Sequence, residues 1–273
     1  SRLEKKIKTE LENMLANDRE KYEDFFKNFG LQLKYGMYAD YGAHKDTLKD
    51  LVLFASSNGD HPTTLAEYVS RMKEDQKAIY YACGESTARI AMLPQAEAVR
   101  DKGYEILYLT DNVDEFALKM LMQYNEKPFQ NVSADDLDLR TDEEKENAKK
   151  QTEDNKELLS FLTEALSGKV KAVTLSNRLK SHPVCLSSEG AISIEMEKVL
   201  NAMPAGDKVQ AQRVLELNAA HPLFKKLTAL FEQDKDTLKE YAALLYDQAL
   251  LIEGMPVEDP VAFSNRICTL MAE

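Results

Sequence analysis

Two stretches, Ala78-Ile79-Tyr80-Tyr81-Ala82-Cys83 and Tyr104-Glu105-Ile106-Leu107-Tyr108-Leu109, decide the fold class. Both are short runs of aliphatic and aromatic side chains bounded by turn residues, and each reads as a buried strand. Gly84-Glu85-Ser86 turns the first into a predicted helix over Thr87–Lys102, bent near Pro94 and ended by Gly103. Asp111–Asp114 opens a second helix over Glu115–Tyr124, and Phe129–Val132 supplies a third strand. Strand alternating with helix at these lengths predicts a right-handed parallel sheet with helices on its faces, a small three-layer α/β domain.

On the N-terminal side, Leu3, Ile7, Leu11, Met14 and Leu15 recur at helical spacing between charges. Asn17 and Asp18 offer a cap for a second helix carrying Tyr22, Phe25, Phe26 and Phe29, with Gly30 as its stop. A further helix is predicted over Lys45–Ala55, a polar loop over Ser56–Thr64 and a short helix over Leu65–Met72. On the C-terminal side, Ala134–Lys156 is highly charged and almost free of apolar residues after Leu139, which marks a boundary leading into an exposed helix. Beyond it lie a helix over Leu158–Leu166, strands over Val170–Leu175, Val184–Leu186 and Val214–Leu217, and a helix over Ala191–Met203. Three closing helices span His221–Glu232, Asp236–Ile252 and Asp259–Met271. The expected organisation is therefore a first domain over 1–133, a charged connector over 134–157 and an α+β domain over 158–273 that ends in a helical hairpin.

Of the 273 residues, 44% are hydrophobic and 30% charged, and 35 basic against 47 acidic residues leave a net charge of −12. That balance suits a globular chain and disfavours nucleic acid and anionic membranes as partners. No apolar run approaches the roughly 18 residues of a membrane span. The three cysteines, Cys83, Cys185 and Cys268, are scattered and include no CxxC, as expected of a reducing cytoplasm. The chain lacks an initiator Met, which suggests a piece of a longer protein.

Catalytic signatures are sparse. The Gly84 turn reads either as a phosphate cradle or as a plain helix start, and it lacks both GxGxxG and GxxxxGK[ST]. Asp111, Asp114 and Glu115 are an acid–base pair or a helix cap. Cys83 is a nucleophile or a small core residue, and His182 with Cys185 gives fewer ligands than a structural zinc needs. No residue is assigned to catalysis, cofactor or metal. Two apolar features stand out. Ile192, Met196, Val199, Leu200 and Met203 form one stripe, either core or a partner surface suited by its thioethers to varied ligands. Leu238, Tyr241, Ala242, Leu245, Ala249, Leu250 and Ile252, with Phe263, Ile267, Leu270 and Met271, give more apolar surface than two terminal helices bury within one subunit. A homodimer interface is expected there.

Several motifs together resemble the heat-shock protein 90 chaperone family, bacterial type. They are Ser70-Arg71-Met72-Lys73-Glu74-Asp75-Gln76-Lys77-Ala78-Ile79-Tyr80-Tyr81, then Gly103-Tyr104-Glu105-Ile106-Leu107-Tyr108-Leu109 with Asp114-Glu115, and Ser176-Asn177-Arg178-Leu179 with Pro183 and Cys185. Leu215-Glu216-Leu217-Asn218 with His221-Pro222, Leu245-Tyr246-Asp247-Gln248-Ala249-Leu250-Leu251 and Glu258-Asp259-Pro260 complete the set. The resemblance implies the C-terminal part of the middle domain followed by the dimerisation domain. The ATP pocket, with its ATP and Mg, and the nucleotide-reaching arginine loop would then lie outside this segment. It implies a homodimer and unfolded or partly folded client proteins as partners. It also places the 192–203 stripe, Phe116 and Met120 on the client-facing cleft, which favours the partner-surface reading of that stripe. The competing expectation is an α/β enzyme domain that binds a phosphate-bearing small molecule at Gly84.

Overall fold

A computed structural model describes residues 2–204 and 206–272, so the expected domain ends at Ser1 and Glu273 lie outside the described residues. The chain divides into two compact units. The first comprises the described residues up to Ala91 together with Gly103–Asn131, and the second comprises Met92–Lys102 and the described residues from Val132 onward. This differs from an uninterrupted first domain over 1–133. Residues 92–102 pack with the second unit, and the charged stretch 134–157 belongs to that unit rather than standing apart as a connector.

The first unit opens with α1 (Arg2–Asn17) and α2 (Arg19–Gly42), the latter capped by Asp18, whose side chain accepts from the Lys21 N–H. Gly30 does not stop α2. It lies inside the helix, where a Cβ would stand 2.5 Å from the Phe26 ring, so the absent side chain lets that ring fold back on the helix. The regular helix ends at Tyr38. Asp40, Tyr41 and Gly42 follow with φ of 50°, 55° and 76°, a left-handed run that reverses the chain. The expected helix over Lys45–Ala55 is also cut short: α3 covers only Lys45–Leu48. Leu51-Val52-Leu53-Phe54 is buried in extended chain, and β1 (Phe54–Ser56) pairs antiparallel with β2 (Gly59–Thr63), where a loop was expected. The apolar run is continuous and not periodic, which suits a strand buried on both faces.

Helix α4 (Leu65–Ser70) is held by a Thr64–Glu67 capping box. Strands β3 (Ile79–Cys83) and β4 (Ile106–Leu109) then form parallel neighbours, with Tyr80 opposite Ile106. Helix α5 (Thr87–Ala91) follows β3; α7 (Asp114–Leu121) and the β5 (Gln123–Tyr124)–β6 (Lys127–Asn131) hairpin follow β4. The sheet order is β2-β1-β4-β3-β6-β5. Its centre, β4-β3-β6, is parallel as expected, whereas β1 and β5 join antiparallel and make the sheet mixed. Met37, Tyr68, Ile79, Tyr81, Leu107 and Leu118 fill the core. Within it, Lys34 pairs with Asp114 at 2.8 Å and lies over the Phe54 ring.

In the second unit, the expected helix over Thr87–Lys102 is broken. After α5, a 3₁₀ turn at Pro94–Ala96 leads into α6 (Glu97–Asp101). Helix α8 (Asp142–Asp154) has a Thr141–Glu144 capping box and buries no residue. Helix α9 (Lys156–Ala165) and strands β7 (Ala172–Leu175), β8 (Val184–Glu189) and β9 (Gln212–Leu217) follow, in sheet order β7-β9-β8. β7 is parallel and β8 antiparallel to β9. Helices α10 (Ile194–Ala202), α11 (Pro222–Gln233), α12 (Lys235–Ile252) and α13 (Pro260–Met271) complete the unit. Its core joins Leu158, Leu162, Val184, Leu215, Leu227 and Leu245.

Arg178, wholly buried, ties this unit together. Its Nε donates to Glu216 on β9 at 3.1 Å, its Nη2 stands 3.0 Å from the same carboxylate, and its Nη1 donates to the Val132 carbonyl. Ser176 Oγ donates to Glu216 as well. Arg178→Ala leaves Glu216 buried without its counter-charge, so a loss of about 3–5 kcal/mol in urea unfolding is expected. A loss under about 1 kcal/mol would contradict that role.

Candidate functional site

The chain offers apolar surface. Among the described residues no cluster of three or more His, Cys, Asp or Glu could hold a metal, and no helix is long and apolar enough to cross a membrane. The Gly84 turn is already committed. The Gly84 N–H donates to the Leu109 carbonyl, Ser86 Oγ accepts from the Arg89 N–H, and Glu85 pairs with Arg89 at 3.0 Å. Helix α5 has only five residues, so its end is a weak anion site. Asp114 is no exposed acid: burial pushes its carboxyl up, against the pull of Lys34. Its Oδ2 accepts from the Asp111 N–H, a loop contact rather than a helix cap, since the N-cap of α7 is Val113, with no side-chain cap. Burial likewise pushes the Cys185 thiol up, and Glu216 adds to the effect. Such a thiol is a core residue, not a nucleophile.

The expected client-facing residues fall in both units, and each set is described within its own. On α7 in the first unit, Phe116 is half-buried and packs edge-on to Tyr38, with ring centroids 5.7 Å apart. Met120 is also half-buried, and its side chain lies against Gly42, where a Cβ would be 2.6 Å from Met120 Cγ. Sequence reading missed an exposed apolar row on α2, of which Tyr38 meets Phe116. Leu31, Tyr35 and Tyr38 recur at offsets of four and seven on α2 and are 45%, 50% and 44% exposed. The signal lies in that spacing, but a helix stop read at Gly30 hides it.

In the second unit, Ser193 caps α10 by accepting from the Met196 N–H. Val199 faces the unit's own interior, buried to 9% exposure, and is removed from the expected binding stripe. Ile192 packs against the core as a partly buried neighbour. Met196 and Leu200 are half-buried and Met203 is 52% exposed, so the stripe with any access is Met196–Leu200–Met203 at offsets of four and seven. Helix α10 is anchored by Glu197, which accepts from Arg213 Nη2 at 2.6 Å and from the Ala211 N–H.

The expected dimer face needs a larger correction. Leu238, Ala242, Leu245, Ala249 and Leu250 are between 0% and 3% exposed and belong to the core of their own unit, where α12 packs on β8, α9 and α11. A side chain already sealed there has no surface left for a partner. Tyr241 and Ile252 are half-buried. Helix α13 differs, for none of its residues is buried. Phe263, Ile267 and Leu270 are half-buried, but Met271 is 80% and Val261 70% exposed, and Leu251 on α12 is 45% exposed. Arg266 holds α13 to α12 through Glu240 at 2.8 Å and the buried Asp247 at 3.4 Å. Burial pushes the Asp247 carboxyl up, opposed by Lys169 and Arg266 and reinforced by Glu258 and Asp259.

A family model described as Hsp90 protein matches residues 1–273, the whole chain. The chain belongs to the Hsp90 protein family. It is 58% identical over 270 residues to the chaperone protein HtpG of Clostridium acetobutylicum, covering 99% of this chain and 43% of that relative. The HtpG of Halalkalibacterium halodurans gives the same identity and coverage. That of Bacillus subtilis is 55% identical over 269 residues, 98% of this chain and 43% of its own length. The chain thus spans about 43% of the length of these Hsp90 relatives.

The division between sealed and open apolar residues has a direct test. Leu245→Ala should cost about 2–5 kcal/mol in urea unfolding. Met203→Ser should stay within about 0.5 kcal/mol of the parent. Equal effects would contradict the burial assigned to the two side chains.

Proposed function

We propose that this chain is the homodimerisation and client-binding part of an ATP-driven protein-folding clamp that works in the cytoplasm. On this reading the first unit is the C-terminal part of a middle domain and the second unit is the dimerisation domain. ATP and its magnesium are handled by portions of such chaperones outside the matched stretch, and no residue here is assigned to them. The observation that carries the reading is helix α13, an apolar terminal helix with no buried residue beside a helix whose inner face is fully used. Water contact over Val261, Ile267, Leu270 and Met271 is costly, and a two-fold partner presenting the same face removes it. A standard interface buries roughly 1,600 Å² in total, within reach of two paired helices per chain.

The accessible α10 stripe supports the client part of the reading. Met196, Leu200 and Met203 present flexible side chains that adapt to dissimilar apolar segments, which is what a folding clamp requires of its lining. The acidic balance of the chain fits a protein ligand better than a nucleic acid.

Light scattering at micromolar concentration should give about twice the 30.9 kDa chain mass, falling to a single chain for the Val261→Asp, Met271→Asp double variant with unchanged circular dichroism. A parent chain of single mass would overturn the dimer assignment. Replacing Met196, Leu200 and Met203 by Ser should weaken binding of a permanently unfolded, reduced and alkylated protein roughly tenfold, about 1.4 kcal/mol. Unchanged binding by the folded variant would count against a client role for this stripe.

A further inference from the structure

The segment Met92–Lys102 is held within the second unit by two polar side chains, Gln95 and Glu97. Glu97 is fully answered. Its carboxylate accepts from the Lys180 and Ser181 N–H groups and from Ser181 Oγ, and although burial works against it, these donors hold it below the usual carboxylate range. Gln95 is answered only in part. It is wholly buried, and its Nε2 donates to the Leu186 carbonyl at 2.8 Å and to Glu253 Oε1. Its Oε1 is also buried and accepts from no described residue. Flipping the amide would not help, since it would aim Oε1 at a carbonyl and a carboxylate, both of them acceptors.

Glu253 caps the C-terminal end of α12, and its backbone carbonyl accepts from Lys198 Nζ at 2.6 Å. As a carboxylate it can only accept; as a carboxylic acid it carries one O–H. A carboxylic acid and a carboxamide side by side satisfy each other in both directions, N–H to one oxygen and O–H to the other. The orphaned Gln95 Oε1 is the acceptor such a pair needs.

We propose that Gln95 and Glu253 form a proton-linked latch, in which protonated Glu253 donates to Gln95 Oε1 and fastens residues 92–102 to the end of α12. Proton uptake then adds a hydrogen bond, and proton loss leaves a partly buried charge beside an unanswered oxygen. The groups around Glu253 are Lys198 and Glu195 on α10, Arg213 on β9 and Cys185 on β8. Burial pushes the Glu253 carboxyl from 4.5 up to about 7, outweighing Lys198, the Gln95 amide N–H and Arg213, which favour the charged form, while Glu195 disfavours it. A carboxyl raised in the latched state binds its proton more tightly there than in the open state. The latch is therefore fully favoured below pH about 4.5 and loses that contribution as pH rises through about 7.

Hydrogen–deuterium exchange of residues 92–102, corrected for intrinsic exchange, tests this at pH 6 and pH 8. With an open-state value of 4.5 and a latched value of about 7, opening should be about tenfold more frequent at pH 8. Glu253→Gln supplies an N–H to Gln95 Oε1 at either pH, so it should retain the parent's pH 6 protection and lose the pH dependence. Gln95→Met should raise exchange at both pH values. A parent ratio near one, or a Glu253→Gln protein that keeps the tenfold dependence, would overturn the latch. Neither result would bear on dimerisation or client binding, which are read by mass and by affinity.

Discussion

Helix α12 has one continuous apolar face, and the core of the second unit occupies it. Leu238, Ala242, Leu245 and Ala249 lie at four- and three-residue intervals beneath β8, α9 and α11, with Leu250 beside the last. At about 25 cal/mol for each Å² of apolar surface removed from water, that seam is among the main stabilising contacts of the unit. It also fixes what remains. Helix α13 can reach only the side of α12 turned away from the core, where Arg266 bridges Glu240 and Asp247. Val261 and Met271 are thus left largely in water and Phe263, Ile267 and Leu270 only partly covered by α12, and a second copy of the chain is the proposed solution.

The same division into a sealed and an open side recurs on α10. Glu197 and Val199 turn inward, the former onto Arg213, while Met196, Leu200 and Met203 stay accessible. Anchoring one side of a helix by a buried ion pair is costly in desolvation, but it fixes the rotation of the helix about its axis. The rotation in turn decides which side chains of α10 stay accessible.

Much of this was legible in the sequence and some was not, for identifiable reasons. The parallel centre β4-β3-β6 followed from compact apolar strands between turn signals. The continuous run Leu51–Phe54 carries no period, so helix and strand could not be told apart, and the structure resolves it as the approach to an antiparallel edge. Gly30 reads as a helix stop, yet it is the place where the Phe26 ring lies against the helix. Periodicity marked the apolar faces of α10 and α12, but period alone does not say whether a face is covered by its own subunit or by another. That is why five of the expected interface residues proved to be core. The partition of 92–102 with the second unit rests on Gln95 and Glu97 finding partners about 80–160 residues away, a pairing that no local pattern records.

The exposed thiol of Cys268 on α13 gives the central claim its most direct test. With Cys83 replaced by Ser and Cys185 buried, a nitroxide attached at Cys268 reports on α13 alone. Pulsed dipolar spectroscopy of the singly labelled protein should show a defined intermolecular distance, as expected of helices packed roughly 8–10 Å apart across a two-fold axis. A featureless background decay at micromolar concentration would mean that α13 faces water in a lone chain, and the clamp assignment would fall with it.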